Sequence, residues 1–347
     1  MNIDWQKVER VLVIRLRSIG DTVLSTPSLI SLKNFLPEAE IDILLEDWVA
    51  PVLDGFEYID NVVVAGKSVG EKLKTVSHLR RRKYDVAFNL HGGTTSTFFT
   101  RASGAHHRVG YAEYRYSSGY SHLLSSSADF WGKPFTHSAE QQMALLGFAG
   151  VPVDAATRSH LAVTETAARS LREKFLASTG DSLEFKGPIA LIHPASAFLT
   201  KQWATGNFAQ VVGHLHSLGI HSVAIAAKSE SAVLDALKMA TSVPVTTFSD
   251  LSLPEITALA AHAELFVGND SGIAHIAAAV KTPTVVVFGS SNRNHWYPWT
   301  DAPNEMVFEE LPCQPCPGYE CKVFGDPKCI LSVTPDAVMA AIGRVSR

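Results

Sequence analysis

Short apolar segments alternate with amphipathic segments along most of the chain, a pattern typical of parallel strands that alternate with helices. The first series of predicted strands comprises residues 11–16, 41–45, 61–65, 85–90 and 109–111. A second series comprises residues 189–193, 222–226, 245–247 and 265–267, with a further strand that ends at Gly289. Helical spacing between these strands predicts a helix after most of them.

The two series predict two domains. Composition changes around residues 151–164, where Pro152 and scattered polar residues indicate a hinge. We therefore expect domains at residues 1–160 and 161–347, each an α/β, doubly wound, Rossmann-like sheet, facing each other across a cleft. The final predicted helix, residues 335–345, could cross back to the first domain. Residues 114–135 have weak periodicity and are expected to form a loop.

Composition narrows the class of protein. The chain has 347 residues, of which 46% are hydrophobic and 18% charged, enough to bury two ordinary cores. The N-terminal residues carry Asp4 and Glu9 without an apolar run, and no apolar stretch approaches the ~18 residues of a membrane span. We therefore expect a cytoplasmic protein. A net charge of −4 and the absence of zinc-finger or RNA-binding signatures predict no nucleic-acid partner.

Positive charge is concentrated in one part of the first half. This basic cluster comprises Arg80, Arg81, Arg82, Lys83, Arg101, His106, His107, Arg108 and Arg115. Few acidic residues accompany it. A solvated face is one interpretation, and a surface for an anionic substrate or membrane is the other.

Two βα turns contain the strongest candidate chemistry. In the first, Asp21 follows the strand at 11–16, where it could act as a general base or only cap a turn. In the second, residues 265–289 read as strand, polar loop, short helix and strand. The amides of Asp270, Ser271 and Gly272 could bind a phosphate at the helix N-terminus, or one side chain could only cap that helix.

Common nucleotide-binding motifs are absent. The segment Ala65-Gly66-Lys67-Ser68 resembles the end of a P-loop, but position 61, which requires glycine, holds Asn61. No G-x-G-x-x-G follows a strand. Lys201, in the loop after the strand at 189–193, could neutralise a phosphate or be a solvated loop lysine.

Metal binding has weak support. Cys313 and Cys316 form a CxxC pair, but Cys321 and Cys329 do not complete a zinc-ribbon spacing. Reduced thiols in a proline-rich loop are the favoured interpretation, and a zinc or iron–sulfur cluster is the alternative. The histidines that follow strands or lie in the short helix show no metal-ligand spacing; they are His91, His193 and His275.

Taken together, three motifs resemble those of the family 9 glycosyltransferases, the ADP-heptose:lipopolysaccharide heptosyltransferases. The motifs are Arg17-Ser18-Ile19-Gly20-Asp21, His193-Pro194 with Lys201-Gln202-Trp203, and Gly268-Asn269-Asp270-Ser271-Gly272-Ile273-Ala274-His275. The resemblance covers essentially the whole chain, and the Cys313-x-x-Cys316 segment resembles one in several members. It implies a GT-B fold and an inverting, metal-independent transfer that needs no cofactor. The donor would be ADP-L-glycero-D-manno-heptose, and the acceptor the Kdo/heptose inner core of lipopolysaccharide.

The resemblance also implies roles for individual residues. Asp21 matches the catalytic base. The residues that match the family's donor site are Ser196, Lys201, Glu230, Asp270, Ser271, Gly272 and His275. The loop from Ser196 to Lys201 differs by one residue in length from that of the family. The acceptor side is assigned to Arg17, Gly20, His91 and Arg108. Residues 114–135 match no part of the family pattern.

The implied partners are ADP-heptose, a lipid A-linked Kdo/heptose acceptor and the inner leaflet of the cytoplasmic membrane, on which the protein would be peripheral. Within the enzyme class, the alternative is a related glycosyltransferase with another nucleotide sugar or polysaccharide acceptor. Outside it, the alternative is a non-catalytic nucleotide-sugar-binding member, which would not need the base Asp21. A periplasmic-type solute-binding protein shares the hinged α/β plan but requires a signal peptide.

Overall fold

The computed structural model describes residues 3–183, 187–316 and 319–346. The chain divides into two compact units, Met1–His160 and Leu161–Arg347. Each unit contains one six-stranded sheet in which every strand pairing is parallel.

The first unit is built on strands that read as apolar runs because both faces of the sheet are covered. Its strands are β1 Arg10–Leu16, β2 Glu40–Leu45, β3 Asn61–Val64, β4 Val86–Asn89, β5 His107–Tyr111 and β6 His122–Leu124. Its helices are α1 Ile19–Val23, α2 Thr26–Phe35, α3 Val69–Arg82, α4 Thr94–Ala102, α5 Ser127–Trp131 and α6 Ser138–Phe148. One apolar cluster includes Leu12, Ile14, Phe99 and Tyr84, all of them buried.

The predicted loop at residues 114–135 is wrong in part. This segment contains a 3-10 turn at Ser117–Gly119, the edge strand β6 and the short helix α5. Strand β6 has only three residues and one buried position, so its alternation is too short to be recognised from sequence. It is a strand because β5 pairs with it.

The strand order of the first unit places a topological switch point beside β1. The order is β3-β2-β1-β4-β5-β6. The connection after β1 therefore leads to β2 on one side of this central pair, and the connection after β4 leads to β5 on the other side. The carboxyl ends of β1 and β4 are therefore neighbours that diverge into different connections. In open α/β sheets this is where ligands bind.

The second unit repeats this plan. Its strands are β7 Ile189–His193, β8 His221–Ile225, β9 Val245–Phe248, β10 Leu265–Asn269, β11 Thr284–Val287 and β12 Asn304–Val307. Its helices are α7 Glu165–Thr179, α8 Thr205–Ser217, α9 Ser231–Ala240, α10 Leu253–His262, α11 Gly272–Ala279, α12 Arg293–Trp296, α13 Lys328–Leu331 and α14 Pro335–Val345. The order β12-β11-β10-β7-β8-β9 puts the switch point between β7 and β10.

The core of the second unit is continuous from the sheet to the last helix. Trp203 is fully buried, and its indole Nε1 donates to Val333 O at 2.8 Å. The terminal helix α14 belongs to this unit, where it packs against α8, β11 and β12. Its buried positions Val338, Ala341, Ile342 and Val345 recur at helical spacing.

None of the helices in the described ranges is long and apolar enough to cross a membrane.

Candidate functional site

Asp21 lies at the switch point of the first unit, in the first turn of α1 directly beyond β1. The N-cap position of that helix is Ser18, and its hydroxyl makes no capping bond. It donates instead to Asp21 Oδ2 at 2.9 Å, while Arg15 forms an ion pair with Asp21 Oδ1. Both carboxylate oxygens are thus held, and the side chain is still 19% exposed to solvent.

Arg15 connects Asp21 to His91, which follows β4 on the neighbouring strand. Arg15 is buried, and its Nη1 donates to His91 Nδ1 at 3.0 Å. Burial, and next the adjacent Arg15 charge, lower the pKa of His91 to about 4. His91 is therefore neutral near pH 7 and presents Nδ1 as the acceptor for Arg15.

The remaining candidates for the acceptor side are placed differently. Gly20 is buried within α1, and Arg17 is exposed in the turn before it. The guanidinium of Arg108 donates to Gly119 O at 2.8 Å and to Ala105 O at 2.6 Å. The structure therefore brings His91 to the Asp21 pair, whereas Arg108 braces the backbone on either side of β5.

The second unit has a matching pair at its own switch point. Lys201 Nζ donates to Asp270 Oδ2 at 2.8 Å, although the two residues are 69 positions apart. Ser291, just beyond β11, donates to the same oxygen. Asp270 is 5% exposed and Lys201 is 23% exposed, so the ammonium is the member of the pair that faces solvent.

The loop that carries Lys201 is fixed by buried hydrogen bonds. The fully buried amide of Asn269 accepts from Trp203 N at 3.0 Å and donates to Pro194 O at 2.9 Å. At Gly289, an added Cβ would lie 2.2 Å from Thr200 O, so only glycine allows this close approach. The position of Lys201 is therefore set by its neighbours and not by a flexible loop.

Ser271 is the N-cap residue of α11, but its hydroxyl makes no capping bond. It lies instead 3.1 Å from Nδ1 of His193, at the end of β7. Burial lowers the pKa of His193 to about 4, so this imidazole is neutral. The backbone amides at Ser271 and Gly272 consequently begin a helix without a side-chain cap, the arrangement that favours an anionic ligand. His275 is buried one turn further along α11.

Comparison with known proteins decides the family. Residues 73–325 match the model of glycosyltransferase family 9, described as heptosyltransferases. The chain belongs to glycosyltransferase family 9. This family membership agrees with the resemblance that the three motifs carry.

Curated relatives match over most of their length. The chain is 29% identical over 313 residues to lipopolysaccharide heptosyltransferase 3 of Escherichia coli, an alignment that covers 84% of this chain and 86% of that protein. It is 25% identical over 295 residues to lipopolysaccharide heptosyltransferase 2 of Salmonella typhimurium, covering 82% and 83% of the two chains.

Solved structures confirm the α/β fold class as that of the GT-B heptosyltransferases. E. coli ADP-heptose lipopolysaccharide heptosyltransferase II superposes with a TM-score of 0.78 at 20% identity, covering 97% of this chain and 98% of the other. The E. coli heptosyltransferase WaaC with ADP-2-deoxy-2-fluoro heptose gives a TM-score of 0.71 at 19% identity, covering 96% and 99%. At these identities the likeness concerns the fold.

In this family 9 chain a pocket of about 520 Å³ opens beside Lys201. Its lining includes Phe198, Ser291, Asn292, Trp296 and Tyr319. The volume lies within the range of small-molecule sites, and aromatic walls with a few polar groups are their usual lining. Sequence reasoning did not select Ser291, Trp296 or Tyr319. The available signal was position, because Ser290-Ser291-Asn292 follows β11 as Asp270 follows β10.

Two softer donor candidates lie in loops of the same unit. Ser196 is half-buried in the Lys201 loop, where its hydroxyl accepts from Phe198 N at 3.4 Å. Glu230 ends the 3-10 turn at Lys228–Glu230, and its carboxylate accepts from Ala227 N at 3.4 Å. Neither contact ties these side chains to Lys201 or Asp270.

The cysteines gather around one pocket next to this site. Cys313, Cys316, Cys321 and Cys329 all line it, with Thr200 and Ser290. Burial raises the pKa of the Cys329 thiol. Within residues 3–183, 187–316 and 319–346, no group of three or more histidine, cysteine or acidic side chains is arranged to hold a metal ion.

Proposed function

We propose that this protein is an inverting glycosyltransferase that moves heptose from ADP-L-glycero-D-manno-heptose to the Kdo/heptose inner core of lipopolysaccharide. The observation that carries the proposal is the Lys201–Asp270 pair, whose lysine lines an aromatic pocket, on a chain of family 9. The names of the relatives support the choice of heptose and lipopolysaccharide.

The donor's diphosphate is assigned to Lys201 and the N-terminus of α11. An ammonium group has three N–H donors, and Asp270 takes one of them at 2.8 Å, so others can reach phosphate oxygens. Asp270 is then a positioning residue, since its buried carboxylate would repel a diphosphate if it met one directly. The amides at Ser271 and Gly272 add donors that need no side chain.

Catalysis is assigned to Asp21. Its carboxylate takes the proton from the acceptor hydroxyl while that oxygen attacks the anomeric carbon from the face opposite ADP. The C–O bond to ADP breaks with inversion, and the leaving diphosphate gains negative charge. Lys201 and the α11 amides stabilise that charge, so we propose that the reaction needs no metal or other cofactor.

The acceptor is assigned to the first unit, around Asp21, Arg17, Gly20 and His91. We further propose that the basic cluster attracts the anionic leaflet on which a lipid A-linked acceptor lies, so that the protein works as a peripheral protein on the cytoplasmic side. The exposed Arg80, Arg81 and Arg101 support this assignment.

A donor panel tests the proposal. ADP-heptose, an ADP-linked hexose, a UDP-sugar and ADP are compared by thermal shift, and transfer is then measured on a Kdo-lipid acceptor with and without a chelator. We expect ADP-heptose to stabilise the wild type and Lys238→Ala, an exposed lysine of α9, but to have little effect on Lys201→Ala. A protein stabilised by no ADP-linked sugar would contradict the donor assignment. Loss of transfer with the chelator would contradict the metal-free mechanism.

A further inference from the structure

A second recessed surface lies on the helical face of the first unit, apart from the Asp21 cluster. We call it the α3–α4 groove, and its lining includes Arg80, Thr94, Thr97, Phe98, Arg101 and Tyr116. Its volume is about 470 Å³, which is within the range of small-molecule sites. Nothing in the proposed transfer chemistry uses these side chains.

The groove carries positive charge that the protein does not neutralise. Arg80 Nε donates to Ala102 O at 3.1 Å, which fixes the guanidinium at the junction of α3 and α4. Within the described ranges, no carboxylate pairs with Arg80 or Arg101, whereas nearby Arg82 is bound by Glu40 and Asp42. Two such guanidiniums match the oxygens of a phosphate group, which they can bind by paired N–H donors.

The other wall of the groove is aromatic and exposed. Phe98 is 48% exposed and Tyr116 is 59% exposed, both on a folded surface where large aromatic side chains are normally covered. Phe98 packs edge-on against the fully buried Phe99, with ring centroids 5.3 Å apart. Flat, amphipathic rings of this kind pack against the apolar faces of sugars and leave polar groups in contact with water.

Tyr116 is held in the groove at a cost. Its φ of 63° lies in the left-handed region, which is costly for a bulky residue. The buried Thr97 hydroxyl donates to Arg115 O at 3.3 Å, and Gly119 N donates to Tyr116 O at 2.9 Å. A strained aromatic residue that is fixed on both sides is a preorganised contact and not a mobile loop.

The groove is connected to the Asp21 cluster through buried hydrogen bonds. Thr97 lies 2.8 Å from the Tyr120 hydroxyl, and Asn89 Nδ2 donates to that hydroxyl at 2.6 Å. Asn89 Oδ1 in turn accepts from His91 N at 3.0 Å. Thr97 of the groove is therefore joined through Tyr120 and Asn89 to His91, the residue that contacts Arg15.

We propose that the α3–α4 groove binds a phosphorylated saccharide, with Arg80 and Arg101 on the phosphate and Phe98 and Tyr116 against the sugar ring. A soluble phosphomonoester and a lipid headgroup present the same chemistry, so the groove accepts a ligand from either source. The link to the acceptor rests on the proposed function, whereas the binding of the phosphosugar does not.

Direct binding tests the proposal. Glucosamine 1-phosphate and glucosamine are titrated calorimetrically into the wild type, Arg80→Ala/Arg101→Ala, Phe98→Ala and Lys74→Ala. Lys74 is the matched control, because it is an exposed cation on the same helix but lies outside the basic cluster and does not line the groove. We expect the phosphosugar alone to bind, with at least tenfold weaker binding in the double variant and in Phe98→Ala, and unchanged binding in Lys74→Ala.

Binding to vesicles distinguishes a lipid headgroup from a soluble phosphosugar as the ligand of the groove. Phosphatidylcholine vesicles that contain lipid A are compared by co-sedimentation with vesicles of equal charge that contain phosphatidylglycerol. Groove-dependent binding to lipid A alone supports a headgroup ligand, and binding in solution alone supports a soluble phosphosugar. Equal effects of Lys74→Ala and the double variant, or no binding in either arm, would overturn the proposal.

Binding of ADP-heptose distinguishes a failure of the groove proposal from a failure of the proposed function. Each variant is also titrated with ADP-heptose, which the second unit is proposed to bind. Groove variants with normal ADP-heptose stabilisation and unchanged unfolding midpoints are folded, so their loss of phosphosugar binding is local. A wild type that binds the phosphosugar but not ADP-heptose would contradict the donor assignment and leave the groove supported.

Discussion

Lys201 Nζ lies 2.8 Å from Asp270 Oδ2 within the second unit, and this ion pair changes the role expected of Asp270. The carboxylate is buried and also receives the Ser291 hydroxyl, so it is committed to protein partners. The lysine side chain also lies over the Phe198 ring, 5.6 Å from its centroid, at the pocket wall. We therefore expect Asp270 to orient the cation, and the cation to be the group that contacts a ligand.

The ion pair predicts a non-additive pair of mutations. We expect Lys201→Ala and Asp270→Asn each to weaken ADP binding by about tenfold or more. The first change removes the cation that is proposed to bind the diphosphate, and the second removes the charge that holds this cation in place. The double variant should bind no worse than Lys201→Ala alone. Calorimetric titration of all four proteins measures the coupling, and additive losses would show that Asp270 acts independently of Lys201.

The assignment of Asp21 as the catalytic base predicts that its substitution lowers kcat without affecting donor binding. We expect Asp21→Asn to lower kcat by about 10²–10⁴-fold, because the amide cannot accept the proton, while KM for ADP-heptose changes little. Asp129→Asn, the same change at an exposed site in α5, should leave both parameters unaltered. Steady-state kinetics distinguishes these results, and near-normal turnover in Asp21→Asn would remove the base assignment.

His91 predicts a pH dependence of stability. Its pKa of about 4 in the folded protein lies below the usual value of 6.5. Between these two pH values, the His91 imidazole is therefore protonated in the unfolded chain but neutral in the folded protein. Stability is therefore lost as pH falls from about 6.5 toward 4. We expect His91→Gln to reduce this loss by about 1–2 kcal/mol at pH 5. Urea unfolding at pH 7.5 and pH 5 measures it, and identical pH slopes for the two proteins would contradict the prediction.

Glu255 predicts the opposite kind of linkage at the junction of α7 and α10. Burial opposes its charge, but Ser170, the Ser252 backbone and Lys174 outweigh that effect and lower its pKa to about 2. The stabilisation is complete above about pH 4.5 and is lost as pH falls toward 2. We expect Glu255→Gln to lower the free energy of unfolding by about 2 kcal/mol at pH 7, with a smaller difference at pH 3. The exposed Glu173→Gln is the control for urea unfolding, and a pH-independent difference would exclude the linkage.

Gly289 predicts a steric effect on the Lys201 loop. A Cβ at this position would lie 2.2 Å from the backbone oxygen of Thr200. We expect Gly289→Ala to lower the free energy of unfolding by about 1–3 kcal/mol and to weaken ADP binding, because Thr200 precedes Lys201. Gly343→Ala is the matched control, since its Cβ meets nothing within 4 Å. Equal unfolding midpoints for the two variants would refute the steric argument.

The alternation of strands and helices could be predicted from sequence because it follows from local side-chain spacing. Helix α2 at Thr26–Phe35 has Pro27 in its first turn and ends before Pro37, and β1 is close to the predicted residues 11–16. Strands β6 and β12 were missed because each is an edge strand with a single buried position, so it lacks a clear apolar run and becomes a strand through pairing with its neighbour. The Ser252–Glu255 capping box at the start of α10 is a local signal of the same kind, and both of its hydrogen bonds form.

By itself, the sequence determined which residues are candidates for chemistry and that each of them follows a strand. Asp21, Lys201 and Asp270 could be selected because polar loops after apolar strands are recognisable locally. Only the tertiary structure decided their partners. Strand order brings β1 beside β4 and β7 beside β10, and that order depends on contacts between residues far apart in the chain. Arg15 thus meets His91, and Lys201 meets Asp270, through sheet topology that no local pattern encodes.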